Sequence, residues 1–80
     1  MEQSARQSEH SEAAKRSFVV NGERCASAAA TLAELVAELG YGERRIATAV
    51  NGQFVAGGVR AETKLADGDT IEIVAPRQGG

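Results

Sequence analysis

The chain has 80 residues, a formal net charge of −2 and a sequence pI near 5.3. This length fits one small domain, and the acidic balance lacks the basic footprint of a nucleic-acid-binding protein. No apolar run is long enough to span a membrane and no signal-peptide segment follows Met1, while the single Cys25 rules out an internal disulfide and fits a reducing cytoplasm. We therefore expect one cytoplasmic domain that binds neither nucleic acid nor a membrane.

The first sixteen residues differ from the rest of the chain. Residues 1–16 contain three acids, three bases and no large apolar side chain after Met1. Such a segment cannot bury enough surface to offset the entropy lost on ordering, so it is predicted to be a disordered arm, with a docking segment as the less favoured alternative. Residues 17–75 are predicted to form the domain and residues 76–80 a flexible tail.

The folded part opens with a hairpin and a helix. Phe18-Val19-Val20 precedes Asn21-Gly22, which is the strongest short hairpin signal, and the next four residues can return antiparallel. Thr31 and Glu34 then have the spacing of a capping box at a helix start. An apolar stripe at helical spacing is predicted to face the core, and the helix is predicted to end at a glycine; these residues are Leu32, Leu35, Val36, Leu39 and then Gly40.

A second hairpin follows, from Ile46 to Val55 around Asn51-Gly52. A loop containing Gly57-Gly58, a tight turn at Asp67-Gly68-Asp69 and a last strand, 70–74, complete the order β-β-α-β-β-β. We predict an α+β fold of the ubiquitin-like β-grasp type, in which a mixed sheet packs on one helix and the first and last strands pair in its centre. The strand residues predicted to face the helix are Phe18, Val20, Ile46, Thr48, Val50, Ile71 and Ile73.

The tail carries the main functional signal. It ends on Gly79-Gly80, and two glycines give a terminus with no Cβ and a minimal cross-section. Such an end can enter a narrow active site of another protein, which indicates that the chain's end is a substrate. The alternative is an ordinary frayed terminus.

Several segments together resemble the ThiS family, the sulfur carriers of thiamine biosynthesis within the ubiquitin-like sulfur-carrier superfamily. The resemblance covers Ser17 to Gly80, and its most distinctive part is the C-terminal stretch from Leu65. Members of the family usually begin near the first strand, so the arm departs from the pattern. The other matching segments are Val19-Val20-Asn21-Gly22-Glu23, Thr31-Leu32 and Ala49-Val50-Asn51-Gly52.

The resemblance implies a protein that is not itself an enzyme. An adenylyltransferase related to ubiquitin-activating enzymes (ThiF type) would consume ATP to adenylate Gly80, and sulfur from a cysteine desulfurase would convert Gly80 to a thiocarboxylate. That group would deliver sulfur to thiazole synthase (ThiG type). Gly79, Gln78 and Arg77 would be the tail residues needed for activation; no bound cofactor, metal or catalytic residue is implied.

A carrier has to be recognised by more than one partner, so some apolar surface is expected on the sheet face away from the helix. Strand alternation identifies the candidates Val19, Ala47, Ala49 and Val74, with Phe54 on the rim of the second hairpin.

Four alternatives remain at this point, two for local features and two for the whole chain. Cys25 could accept a persulfide, although no activating base lies beside it and a half-buried structural cysteine is favoured. The segment Glu43-Arg44-Arg45 is predicted to be a solvent-facing charged loop rather than a binding patch. For the whole chain, the alternatives are a molybdopterin-synthase-type sulfur carrier, disfavoured by the Pro76-Arg77-Gln78 approach to the glycines, and a ubiquitin-like binding or conjugation module.

Overall fold

The computed structural model describes residues 15–42 and 44–76. Nearly all of the predicted arm and the last four residues lie outside this part of the chain. The described elements are strand β1 (Arg16–Val20), strand β2 (Glu23–Ser27), helix α1 (Leu32–Glu38), strand β3 (Ala47–Val50), strand β4 (Gln53–Val55), a 3₁₀ helix (Gly57–Glu62) and strand β5 (Thr70–Val74).

The five strands form one mixed sheet in the order β2-β1-β5-β3-β4. The first strand β1 and the last strand β5 pair in parallel, whereas the other three pairs are antiparallel. The predicted β-grasp fold, with its first and last strands paired in the middle of the sheet, is confirmed. The strand that leads into the tail is therefore hydrogen-bonded on both sides.

Both hairpins turn through the predicted Asn-Gly pairs. Asn21 and Gly22 have φ values of +50° and +86°, and Asn51 and Gly52 have +52° and +85°. Positive φ at both central residues defines the type I′ turn, whose twist matches that of the flanking strands. Glycine and asparagine tolerate this backbone region better than other residues, which is why the two pairs set the hairpin registers.

The two turn asparagines also hold β5 through their side chains. Asn21 accepts a hydrogen bond from the Ile73 amide at 2.8 Å and donates one to the Ile73 carbonyl at 3.1 Å. Asn51 accepts from the Thr70 amide at 2.9 Å and donates to Asp69 Oδ1 at 2.9 Å. The turn of the first hairpin is thus hydrogen-bonded to β5 near the end of the strand, and the turn of the second hairpin is hydrogen-bonded to its start.

Helix α1 has the predicted cap at each end. The Thr31 hydroxyl accepts from the Glu34 amide at 3.2 Å, while the Glu34 carboxylate reaches back to the Ala30 amide at 2.7 Å. At the other end Gly40 has a φ of +93°, and the amides of Gly40 and Tyr41 donate to the carbonyls of Ala37 and Val36. These two bonds form a Schellman motif, which satisfies carbonyls that the helix leaves open.

The core lies between α1 and one face of the sheet. Phe18, Leu32, Leu35 and Ile71 are fully buried, and Ile73 and Thr48 are nearly so. Val20, Ile46 and Val50 are half-buried against this cluster, as the strand alternation predicts. Leu39 departs from the predicted stripe because it is the C-cap of the helix and remains 37% exposed at the edge of the core.

Two local features differ from the sequence-based expectation. The sequence predicts a loop around Gly57-Gly58, but this segment forms a 3₁₀ helix whose Arg60 is hydrogen-bonded to Thr48 and Ile46. Strand β1 begins at Arg16, within the predicted arm, because Arg16 pairs with Ser27 and its guanidinium donates to the Leu65 carbonyl at 3.2 Å.

Candidate functional site

The base of the tail lies at the end of the central strand. Strand β5 ends at Val74, and Ala75 and Pro76 follow as exposed residues outside any strand. Proline has a fixed φ and no amide donor, so Pro76 stiffens the chain where it leaves the sheet. The predicted tail residues Arg77, Gln78, Gly79 and Gly80 lie outside the described residues.

An apolar surface adjoins the base of the tail on the sheet face away from α1. The strand register sets Ala47 opposite Val74 and Ala49 opposite Phe54. Phe54 is 73% exposed and Val74 is 60% exposed, the two largest exposed fractions among the large apolar side chains of the described residues. We call these four residues the sheet patch.

Val19, the fifth predicted partner-facing residue, does not belong to the sheet patch. It is half-buried and pairs with Thr70 at the start of β5, whereas Val74 lies at the end of that strand. Glu72 lies between Thr70 and Val74 on the exposed face of β5, and it pairs with Ala49. The structure therefore brings together four of the five predicted residues and separates Val19 from them.

A groove of about 270 Å³ lies on another side of the tail base. It is lined by Arg44, Arg45, Ala75 and Pro76, and both arginines are exposed, as predicted for the charged loop. Glu43, the first residue of that predicted loop, lies outside the described residues. The Arg44 amide donates to the Tyr41 carbonyl at 2.8 Å, and the Arg44 guanidinium carbon lies 5.7 Å from the centre of the Tyr41 ring. This distance is within the range of a cation–π contact.

A buried network holds the start of β3 next to this groove. Arg60 donates from Nε to the Thr48 hydroxyl at 2.9 Å and from Nη2 to the Ile46 carbonyl at 2.8 Å. The Thr48 hydroxyl in turn donates to the Val55 carbonyl at 2.8 Å. The network satisfies the buried Thr48 and fixes the backbone directly after Arg45.

The side chain of Cys25 contributes to packing. It lies on the edge strand β2 opposite Phe18, is half-buried and packs against the core. It also lines an open groove of about 500 Å³ with Leu39 and Tyr41. The predicted half-buried structural cysteine is confirmed.

The described residues contain no group of three or more His, Cys, Asp or Glu side chains placed to hold a metal ion. Within the same residues, no helix combines the length and the apolar character needed to cross a bilayer.

Comparison with known proteins decides the family. The family model of the ThiS family matches residues 13–80, which include the whole described domain and the tail. The chain belongs to the ThiS family. A search of individual curated proteins gives no significant match.

A solved ThiS-family relative has the same fold. The crystal structure of the thiamine biosynthesis protein ThiS from Geobacter metallireducens superposes with a TM-score of 0.67 at 24% sequence identity. The match covers 80% of this chain and 99% of the Geobacter protein. At this identity the likeness concerns the fold, and the family assignment rests on the family model.

Sequence reasoning missed the side-chain roles of three polar residues. Asn21 and Asn51 were read only as turn residues, although both also hold β5, and Arg60 was not singled out. The repeated Val-Asn-Gly triplet at 20–22 and 50–52 was a signal for the first two. The sequence has no comparable signal for Arg60, because its partners Thr48 and Ile46 lie 12 and 14 residues earlier, at the second hairpin.

Proposed function

We propose that this ThiS-family protein is a sulfur carrier whose terminal Gly80 is converted to a thiocarboxylate for thiazole formation in thiamine biosynthesis. The family match over residues 13–80, which runs through the Gly79-Gly80 end, is the observation that carries this proposal. The position of the tail base, exposed at the end of a strand anchored on both sides, supports it.

The proposed chemistry activates a poor electrophile. A carboxylate repels nucleophiles and has no good leaving group, so the Gly80 carboxylate first attacks ATP and becomes an acyl adenylate with release of pyrophosphate. A sulfide equivalent then displaces AMP from the acyl carbon and leaves a thiocarboxylate. This group is ionised near neutral pH and is a better nucleophile than the original carboxylate.

The protein's own part in this cycle is to present its tail. Gly79 lets the backbone pass through a narrow channel, and Arg77 and Gln78 can contact partner groups by charge and hydrogen bonds. Adenylation belongs to a ThiF-type enzyme, sulfur supply to a cysteine desulfurase and sulfur acceptance to a ThiG-type thiazole synthase. We place the cycle in the cytoplasm, where a single unpaired Cys25 is stable in its reduced form.

The sheet patch is the proposed docking face for these partners. Apolar side chains in the centre of a protein interface lose water on binding, and exposed aromatic residues are enriched at such sites. Because Val74 belongs to the patch and is the last residue of β5, one enzyme could cover the patch and accept the tail at the same time.

Intact-mass measurement tests the proposal. The full chain is incubated with ATP, a ThiF-type adenylating enzyme and a persulfide donor together with a thiol that reduces the resulting acyl disulfide, and a parallel reaction omits ATP. We expect an ATP-dependent exchange of one oxygen for one sulfur, located at Gly80 by fragmentation. A covalent adduct to a lysine of another protein would favour conjugation, and an unchanged mass would refute sulfur carriage. Transfer to a molybdopterin precursor in place of a thiazole precursor would favour the other carrier type.

A further inference from the structure

The loop between α1 and β3 places two cations beside the tail base. Because Ala47 pairs with Val74 in an antiparallel register, the residues before Ala47 run alongside the residues after Val74. Arg44 and Arg45 therefore line one groove with Ala75 and Pro76, although about thirty residues separate the two segments in sequence.

This local charge opposes the charge of the whole chain. The formal net charge is −2, yet the groove is lined by two exposed arginines. Two positive charges thus cluster beside the base of the tail. Exposed like charges repel one another, so such a cluster is more favourable when an opposite charge is bound.

Further contacts hold the side chain of Arg44 and the backbone that follows Arg45. Contact with Tyr41 orients Arg44, and the bonds from Arg60 to Ile46 and Thr48 fix the strand that follows Arg45. Arginine presents a planar fork of donors that matches a carboxylate in two-point contact. The oriented Arg44 loses less entropy on binding than a mobile side chain would.

We propose that Arg44 and Arg45 form a docking site for acidic side chains of the adenylating enzyme, beside the entrance through which that enzyme accepts the tail. The inference rests on the proposed function, because the groove adjoins the tail and a protein that takes up the tail must cover it. Charge complementarity selects Asp and Glu residues as the groups that would occupy the groove. Their role is to orient the carrier, and the chemistry stays at Gly80.

The test uses the full chain and a ThiF-type adenylating enzyme. One variant combines Arg44→Gln with Arg45→Gln, and a second combines Arg44→Lys with Arg45→Lys. The matched control combines Lys15→Gln with Lys64→Gln, which removes the same amount of charge from exposed positions that do not line this groove. The dissociation constant of the complex is measured without ATP, and KM and kcat of adenylation are measured separately at two salt concentrations. Thermal unfolding verifies that each variant is folded.

We expect the double glutamine variant to raise the dissociation constant and KM about tenfold near 0.1 M salt, with little change in kcat. The lysine variant should lie between it and the original protein, because it keeps the charge and loses the fork. The difference in dissociation constant between the double glutamine variant and the original protein should become smaller at higher salt, because salt screens exposed charges.

The proposal is overturned if the double glutamine variant binds as the original protein does, if the control weakens binding equally, or if only kcat falls. The last result would indicate that the arginines act on the tail or its carboxylate. Failure of the original protein to bind the enzyme would also overturn it. Normal binding without conversion of Gly80 would refute the proposed function, while the dissociation constants of the variants would still test the docking site.

Discussion

The residues with the narrowest tolerance are expected to be the two terminal glycines. Core positions such as Phe18 and Ile71 are constrained by close packing, which accepts other apolar side chains of similar volume at modest cost. Under the proposed function the glycines would be constrained by a partner's active site, because any added side chain would have to fit a channel that accepts backbone alone. Stability and function should therefore respond to different sets of substitutions.

Variants of the tail test this separation. Appending one residue after Gly80 shifts the carboxylate by roughly 3.5 Å, and deleting Gly80 withdraws it by a similar distance. Gly79→Val adds a branched side chain and removes torsional freedom. All three variants should fold normally and should fail to acquire sulfur when their masses are measured after reaction with the adenylating enzyme and a sulfur donor.

Gly58→Val provides the control for the tail variants. Gly58 has open space where a Cβ would be and does not have a left-handed φ, so this variant should fold and acquire sulfur normally. Efficient thiocarboxylate formation on an extended chain that is not trimmed would contradict the assignment of Gly80 as the reactive terminus.

At the scale of elements, β5 connects the core to the tail. Its alternate residues face opposite sides, so Ile71 and Ile73 pack on the helix while Val74 lies in the sheet patch. The same strand thus stabilises the fold through one face and offers a contact through the other. A substitution on the exposed face can test binding with little effect on the core.

Val74→Asp is expected to weaken docking without unfolding the domain. A charge in the middle of an apolar contact loses its water without gaining a partner, whereas on the free protein it stays hydrated. Adenylation should therefore show a KM raised about tenfold or more. Thr70→Asp is the matched control, since it lies on the same face of the same strand at the far end. Unchanged activation of a folded Val74→Asp variant would exclude the sheet patch as the interface.

The elements that the sequence predicts well are those set by neighbouring residues. The Asn-Gly turns, the Thr31–Glu34 cap and the glycine at the end of α1 each depend on a few adjacent positions. The features that it misses join distant segments. The bonds from Asn21 to Ile73, the reach of Arg60 to β3 and the groove at the tail base all arise only after the sheet has assembled.

The 3₁₀ helix was missed for a different reason. Gly57-Gly58 signals a turn, and short helices with i to i+3 bonds have little sequence signature of their own. Here the amides of Val59 and Thr63 donate to the carbonyls of Ala56 and Arg60, and Arg60 anchors the segment to the sheet. Tertiary contacts therefore determine the form of this segment.

For the molecule as a whole, the N-terminal segment is predicted to be dispensable for folding and sulfur acquisition. Because β1 begins at Arg16, the truncation should stop before that residue. Removing residues 1–14 should change the free energy of unfolding by less than about 1 kcal/mol, the size of one good helix cap. Removing residues 1–16 should cost about 1 kcal/mol more, because the bond from Arg16 to the Leu65 carbonyl and the first pair of β1 are lost.

Urea denaturation of the two truncated chains and the full chain measures both effects. Sulfur acquisition should be the same for the shorter truncation and the full chain. A larger loss of stability on removal of residues 1–14 would show that this segment docks on the domain.

The parallel pairing of β1 with β5 also affects when the protein becomes usable during synthesis. Residues as far apart as Asn21 and Ile73, 52 positions along the chain, must meet before the sheet is complete, and such distant contacts slow folding. Strand β5 is the last of the five described strands to be synthesised, so a nascent chain that lacks it has neither a finished sheet patch nor a fixed base for the tail. Under the proposed function, activation of Gly80 would then be confined to chains that have finished folding, and the order of translation would keep immature chains out of the reaction.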